Sequence, residues 1–243
     1  MTRGARPGAN AARPAGNELA HAGGGPNGRS RVTGWVRAGA IAGIVGPVAF
    51  TAAWITAASR QPGLPFSAPQ ISGLAADNAR DPWLMISGFL LLGGCAIAFG
   101  TALAVVLGGR PRAGRGPSAI QAAGVLTVAA GLLRRDHVLL TAGPESWHNH
   151  AHDVISAAAY VLLVVAPLLL AGRFRPDPEW HVLALPLAAT AAASAALLVA
   201  FYAAPHDSWD ATLQRVAVSL PLAAVTGVAV RLTWLSRCTD TRA

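Results

Sequence analysis

Three histidines and an aspartate crowd into Ser146-Trp-His-Asn-His-Ala-His-Asp-Val154, directly ahead of a long apolar run. On a helix, His148 and His152 share one face, while His150 points about 160° away and shares the opposite face with Asp153. A His-x-x-x-His pair suits a single ion, as in helical zinc sites. Catalytic zinc takes three protein ligands and keeps one position for water; His206, after Pro205, supplies the third ligand. Asp136 would then serve as base or orienter, and Ser72 would donate to the developing oxyanion. The chemistry expected from this set is metal-dependent hydrolysis of a lipid-like amide or ester. Two blander readings use the same residues: a solvated loop, and a hydrogen-bonded network that caps a bundle.

What positions these groups follows from composition. The chain has 243 residues, 53% hydrophobic and 12% charged, with a positive mean hydropathy, too apolar for an ordinary soluble domain of that size. Six apolar runs approach the roughly 20 residues needed to cross a bilayer. They are expected at about Val36 to Ala58, Trp83 to Leu107, Pro117 to the Arg134-Arg135-Asp136-His137 block, Pro144 to Ala171, His181 to Ala204, and Thr212 to Leu235. The fold class is therefore all-α: a polytopic membrane protein with six transmembrane helices in one bundle. Pro47, Pro167, Pro186 and Pro221 fall inside these spans and are expected to kink them.

The basic residues are nineteen arginines with no lysine. With the amino terminus in the cytoplasm, fourteen of them fall inside and Arg60, Arg80, Arg134, Arg135 and Arg215 outside, so the positive-inside rule places both termini in the cytoplasm of a plasma membrane. The net charge of +8 is then explained by topology and anionic lipid, and nucleic-acid binding is discounted. Residues 1–33, rich in Gly, Ala, Pro and Arg with no hydrophobic period, read as a disordered cytoplasmic tail; 34–236 form the membrane domain and 237–243 a second tail. Cys95 and Cys238 have no shared compartment for a disulfide and no metal spacing.

Depth places the polar residues. A third helix starting at Pro117 reaches Asp136 after about 30 Å, so Arg134-Arg135-Asp136 is expected to be helical at the outer boundary, with Asp136 held by one of those arginines or turned inward. A fourth helix starting at Pro144 lifts His148 and His152 to the same outer level. His150 and Asp153 are expected to be wet.

Gly43-Ile-Val-Gly-Pro-Val-Ala-Phe50, Ser72-Gly-Leu74, Asp136, His148-x-x-x-His152 and Gln214-Arg215 together resemble a bacterial six-span family, domain of unknown function 998, over about residues 36–236. Its members often carry an acidic residue after the loop serine, where this chain has Gly73. The resemblance implies the six-span architecture and no reaction. The set Ser72, Asp136, His148, His152 and His206 is also similar by type to the zinc sites of alkaline ceramidases and adiponectin receptors, an analogy of site chemistry and not of fold. Beside the hydrolase stand a non-catalytic accessory or structural membrane protein and a neutral small-molecule transporter; the last lacks ionisable groups at mid-span.

Overall fold

The computed structural model describes residues 26–108, 114–139, 144–203 and 209–240, with side chains between residues 34 and 236 of these. Among them the chain is helical, with no strand. The helices are α1 (Pro26–Ser59), α2 (Pro82–Leu107), α3 (Arg115–Leu132), α4 (Trp147–Phe174), α5 (Ala184–Ala203) and α6 (Asp210–Asp240). Short 3-10 turns lie at Ser72–Ala75 and His181–Leu183. Residues 26–33, read from composition as part of a disordered tail, thus belong to α1.

Each helix packs on its neighbours in sequence, and α6 closes back on α1, so the six form a ring. Five segments are long and apolar enough to cross a membrane: Gly34–Ser59, Pro82–Leu107, Trp147–Phe174, His181–Ala203 and Asp210–Ser236. Large apolar side chains such as Ile41, Val48, Leu185 and Val199 point outward, which suits lipid and would be costly in water. Exposed tryptophans mark both ends: Trp35 and Trp234 at one, Trp83, Trp147 and Trp209 at the other. Arginines lie over two of these rings, Arg231 on Trp234 at 4.4 Å and Arg134 on Trp83 at 5.7 Å. Amphipathic rings with a nearby cation belong at a membrane–water boundary.

α3 is the exception. Its 18 residues rise about 27 Å and it is not among the five apolar spans. It sits inside the ring between α2 and α4 because small residues let it approach. A Cβ on Gly93 would lie 2.5 Å from the Gly124 carbonyl oxygen, and one on Gly124 2.7 Å from that of Gly93, so the α2 and α3 backbones touch there.

Two expected boundaries and one expected kink are corrected. α3 stops at Leu132, with Leu133 already extended in ψ, so Arg134, Arg135 and Asp136 lie in the following loop and not on the helix. α4 starts at Trp147 and not at Pro144, because the Ser146 side chain accepts the Asn149 N–H and caps it. Pro47, Pro167 and Pro221 are interior to helices, but Pro186 stands in the first turn of α5, where proline is tolerated.

Two apolar cores divide the bundle. One holds Phe99, Leu103, Leu170, Phe174, Trp180 and Leu232, at the end where α4 finishes and α5 begins. The other holds Phe50, Ile71, Leu74, Met85, Phe89 and Leu222, just beneath the opposite end. The polar residues of interest cap the second.

Candidate functional site at the polar end of the bundle

The end of α1, the start of α2, the end of α3 and the starts of α4 and α6 meet the 60–81 loop at one level. Arg135, 4% exposed, is the hub of that level. Its Nε donates to Asn149 Oδ1 at 3.3 Å and its Nη1 to Gln70 Oε1 at 3.2 Å, with Ser72 Oγ at 3.5 Å. Its Nη2 faces Asp153 Oδ1 at 3.5 Å, and Asn149 Nδ2 donates to the other oxygen of Asp153 at 3.2 Å. A buried guanidinium needs partners in this number, since each unpaired N–H would be costly.

The network extends to α6. Gln70 Nε2 donates to Asp210 Oδ2 at 3.1 Å, Gln214 Oε1 accepts the Ile71 N–H at 2.7 Å, and Gln214 Nε2 donates to the Tyr160 hydroxyl at 3.1 Å. Arg215 donates to the Phe66 and Pro69 carbonyls at 2.7 and 2.8 Å and lies over the Trp54 and Phe66 rings. Together Gln214 and Arg215 pin the 60–81 loop onto α6. Arg60 and Arg134 pair with Asp81 and Asp77 at 3.2 and 2.9 Å. Gly73 lies in the same loop, and a Cβ there would press on the Val138 carbonyl. A side chain of any kind after the loop serine has no room on this backbone.

Asp136 does not pair with Arg134 or Arg135, as expected from adjacency, because the chain has left the helix and turned its carboxylate to the α4 cap. It accepts the Ser146 N–H at 2.6 Å and the Ser146 hydroxyl at 2.7 Å. The Ser146 N–H above all, and then its hydroxyl, hold the Asp136 carboxyl below the usual carboxylate range. The Ser146 hydroxyl proton being given to Asp136, His148 Nδ1 at 2.8 Å must donate to the same oxygen.

His148 and His152 share a helix face in register but not in surroundings. His148 is exposed; His152 is 1% exposed. His152 Nδ1 lies 2.9 Å from the Ala130 carbonyl oxygen and 2.7 Å from that of Leu133, and its Nε2 lies 3.1 Å from Ser156 Oγ. With both ring nitrogens engaged, His152 would have to release Ser156 or the carbonyls to hold an ion. Among the described residues, no three His, Cys, Asp or Glu side chains gather as a metal-binding group. His206, named as the third ligand, lies with Asp207 outside the described residues. His150 is exposed, 3.4 Å from Glu145. The Asp153 side chain is 45% exposed, wet as expected, and also pairs with the hub.

Beneath the hub opens a cavity of about 210 Å³. Gln70, Ser72 and Arg135 line it from the loops, Asp153, Ser156 and Tyr160 from α4, and Gln214 from α6; Phe201 and Tyr202 bring the last turn of α5 to it. Of the four singled out by sequence that are described, Ser72 alone lines this space; His152 stands behind Ser156, and Asp136 and His148 belong to the cap. Arg135, Asn149, Ser156 and Tyr160 were missed as members. A signal existed for two: His152, Ser156 and Tyr160 repeat every fourth residue, one stripe along α4.

No curated protein and no solved structure matches the chain. Its first span from Ile44, its loop serine, the Arg135 hub and the Gln214-Arg215 pair all fall inside one family match, over residues 44–231. The chain belongs to the family described as protein of unknown function (DUF998).

Proposed function

We propose that this is a six-span protein of the plasma membrane, with both termini cytoplasmic, that receives the polar part of a lipid-like ester or amide in the cavity at its outer end. The cavity carries this reading: about 210 Å³, ringed by hydrogen-bonding groups and flanked by Phe201 and the exposed Tyr202 on a lipid-facing helix. Lipid ester groups lie at the depth of the interface, which is where the Trp83, Trp147 and Trp209 girdle puts this end of the bundle. The place of α3 in the ring supports counting it as the sixth span, and the arginine bias supports the orientation.

The test is retention of dioctyl-ether phosphatidylglycerol, which has no ester to cleave, by the purified protein, read by native mass spectrometry. Wild type should keep one molecule. Ser156→Leu, which fills the cavity, should keep none, and Tyr202→Ala, at the exposed rim, should keep less. Equal retention by all three removes the proposal.

A structural role is the competing reading, favoured by the Asp136–Ser146 latch and by how many elements Arg135 ties together. It expects Ser156→Leu to leave retention unchanged.

A further inference from the structure

We infer that Ser156 and His152 are a nucleophile and its base, and that the cavity cleaves an ester by transient acylation of Ser156; this rests on the cavity receiving a lipid-like ester. Carbonyl oxygens only accept, so the two that face His152 Nδ1 fix the proton there. The Nε2 lone pair is thereby turned to Ser156, whose hydroxyl donates to it across 3.1 Å. That is the relation of nucleophile, base and orienter found wherever a serine is activated, with peptide carbonyls in the place of an aspartate. The division of burial fits the roles: Ser156 lines the cavity, whereas His152 is almost wholly enclosed behind it.

The orienting carbonyls exist because α3 stops early. Ala130 lies among the last four residues of that helix, whose carbonyls have no partner within it, and Leu133 follows directly. The same helix end carries partial negative charge, which with Asp153 favours the imidazolium that forms when His152 takes a proton, against the opposing effects of burial and the Arg135 guanidinium. Tyr160, one turn beyond Ser156 on the same face, accepts from Gln214 Nε2, leaving its own O–H able to donate to an oxyanion in the cavity.

In the first step Ser156 Oγ attacks the ester carbonyl carbon, its proton passes to His152 Nε2, and the carbonyl oxygen takes up negative charge. The C–O bond to the leaving alcohol then breaks, and His152 returns the proton to that alcohol. Water repeats the sequence on the acyl-serine: His152 removes its proton, the acid departs, and Ser156 Oγ is protonated again. No oxidant or reductant is needed.

A fluorophosphonate, which phosphonylates activated serines, tests the pair in the full-length protein, with the labelled peptide mapped by mass spectrometry. Wild type should be labelled at Ser156. Folded Ser156→Ala should show no label and release no octanoate from dioctanoyl-phosphatidylglycerol. His152→Asn should label about 10²–10⁴ times more slowly. A merely structural histidine would leave the pH profile of labelling flat; a base gives a rate that rises as His152 loses its second proton. Wild type that retains the ether lipid but takes no label at Ser156 overturns the pair and leaves the cavity reading standing. Wild type that does neither overturns both, and labelling at Ser72 in place of Ser156 overturns the assignment.

Discussion

The two ends of the bundle are held together by different means. At the end where α4 finishes, Phe174 stacks on Trp180 with ring centroids 4.7 Å apart, and Phe99, Leu103 and Leu232 close around them. Among its polar contacts are the Arg173–Asp177 pair at 3.3 Å and Arg231 donating to the Glu179 carbonyl from the surface. At the other end the buried layer is Arg135, Gln70, Asn149, His152, Asp210 and Gln214. Packing tolerates small errors of geometry, whereas a buried guanidinium loses most of its support when one partner moves. Apolar residues of equal volume would close that end at no greater cost, so an extensive buried polar layer there marks a place where more than cohesion is at stake.

Substitutions that treat the ends alike should give unlike results. The largest effect is expected for Arg135→Ala, which leaves the buried Asn149 and Gln70 oxygens short of a donor and takes the cation from the half-exposed Asp153: a loss of about 3 kcal/mol or more in detergent unfolding. Phe174→Ala, at the apolar end, should cost about 2 kcal/mol or more, because the cavity persists while the transfer contribution fades in a bilayer. If Phe174→Ala proves the more damaging, the contrast between the ends is wrong.

Acid should act on the polar end through Asp136. Its carboxyl is held down in the folded protein, so its contribution is complete above the ordinary carboxylate value near about 4 and disappears as pH falls through the lower folded value. The melting temperature of wild type should fall over that window, and Asp136→Asn should flatten the fall. The smallest effect is expected for Arg231→Ala: its two donations to Glu179 lie on the surface, and about 1 kcal/mol or less should be lost.

The helices were readable because lipid demands long apolar runs, and α2 and α5 lie within a few residues of their expected limits. The end of α3 was not. Arginine and aspartate are compatible with a helix, and nothing local stops one at Leu132. The loop is held instead by distant partners: Asp77 donates its N–H to the Arg135 carbonyl at 3.0 Å, and His152 takes the Ala130 and Leu133 carbonyls. Those bonds join segments far apart in sequence, which periodicity does not report. The same early stop explains the changed partners of Asp136. It also explains why His152 was grouped with His148 by helical spacing, although the two meet different neighbours.

On the proposed six-span reading, α3 has a mechanical consequence for the surrounding lipid. A segment of about 27 Å beside longer neighbours leaves the hydrocarbon on that flank slightly too thick for it, and a bilayer answers such mismatch by thinning or by admitting water. The dent would form at the end of α3, whose last carbonyls hold His152. Membrane thickness would thereby govern how readily solvent and acyl chains meet there, giving lipid composition a direct hold on the cavity.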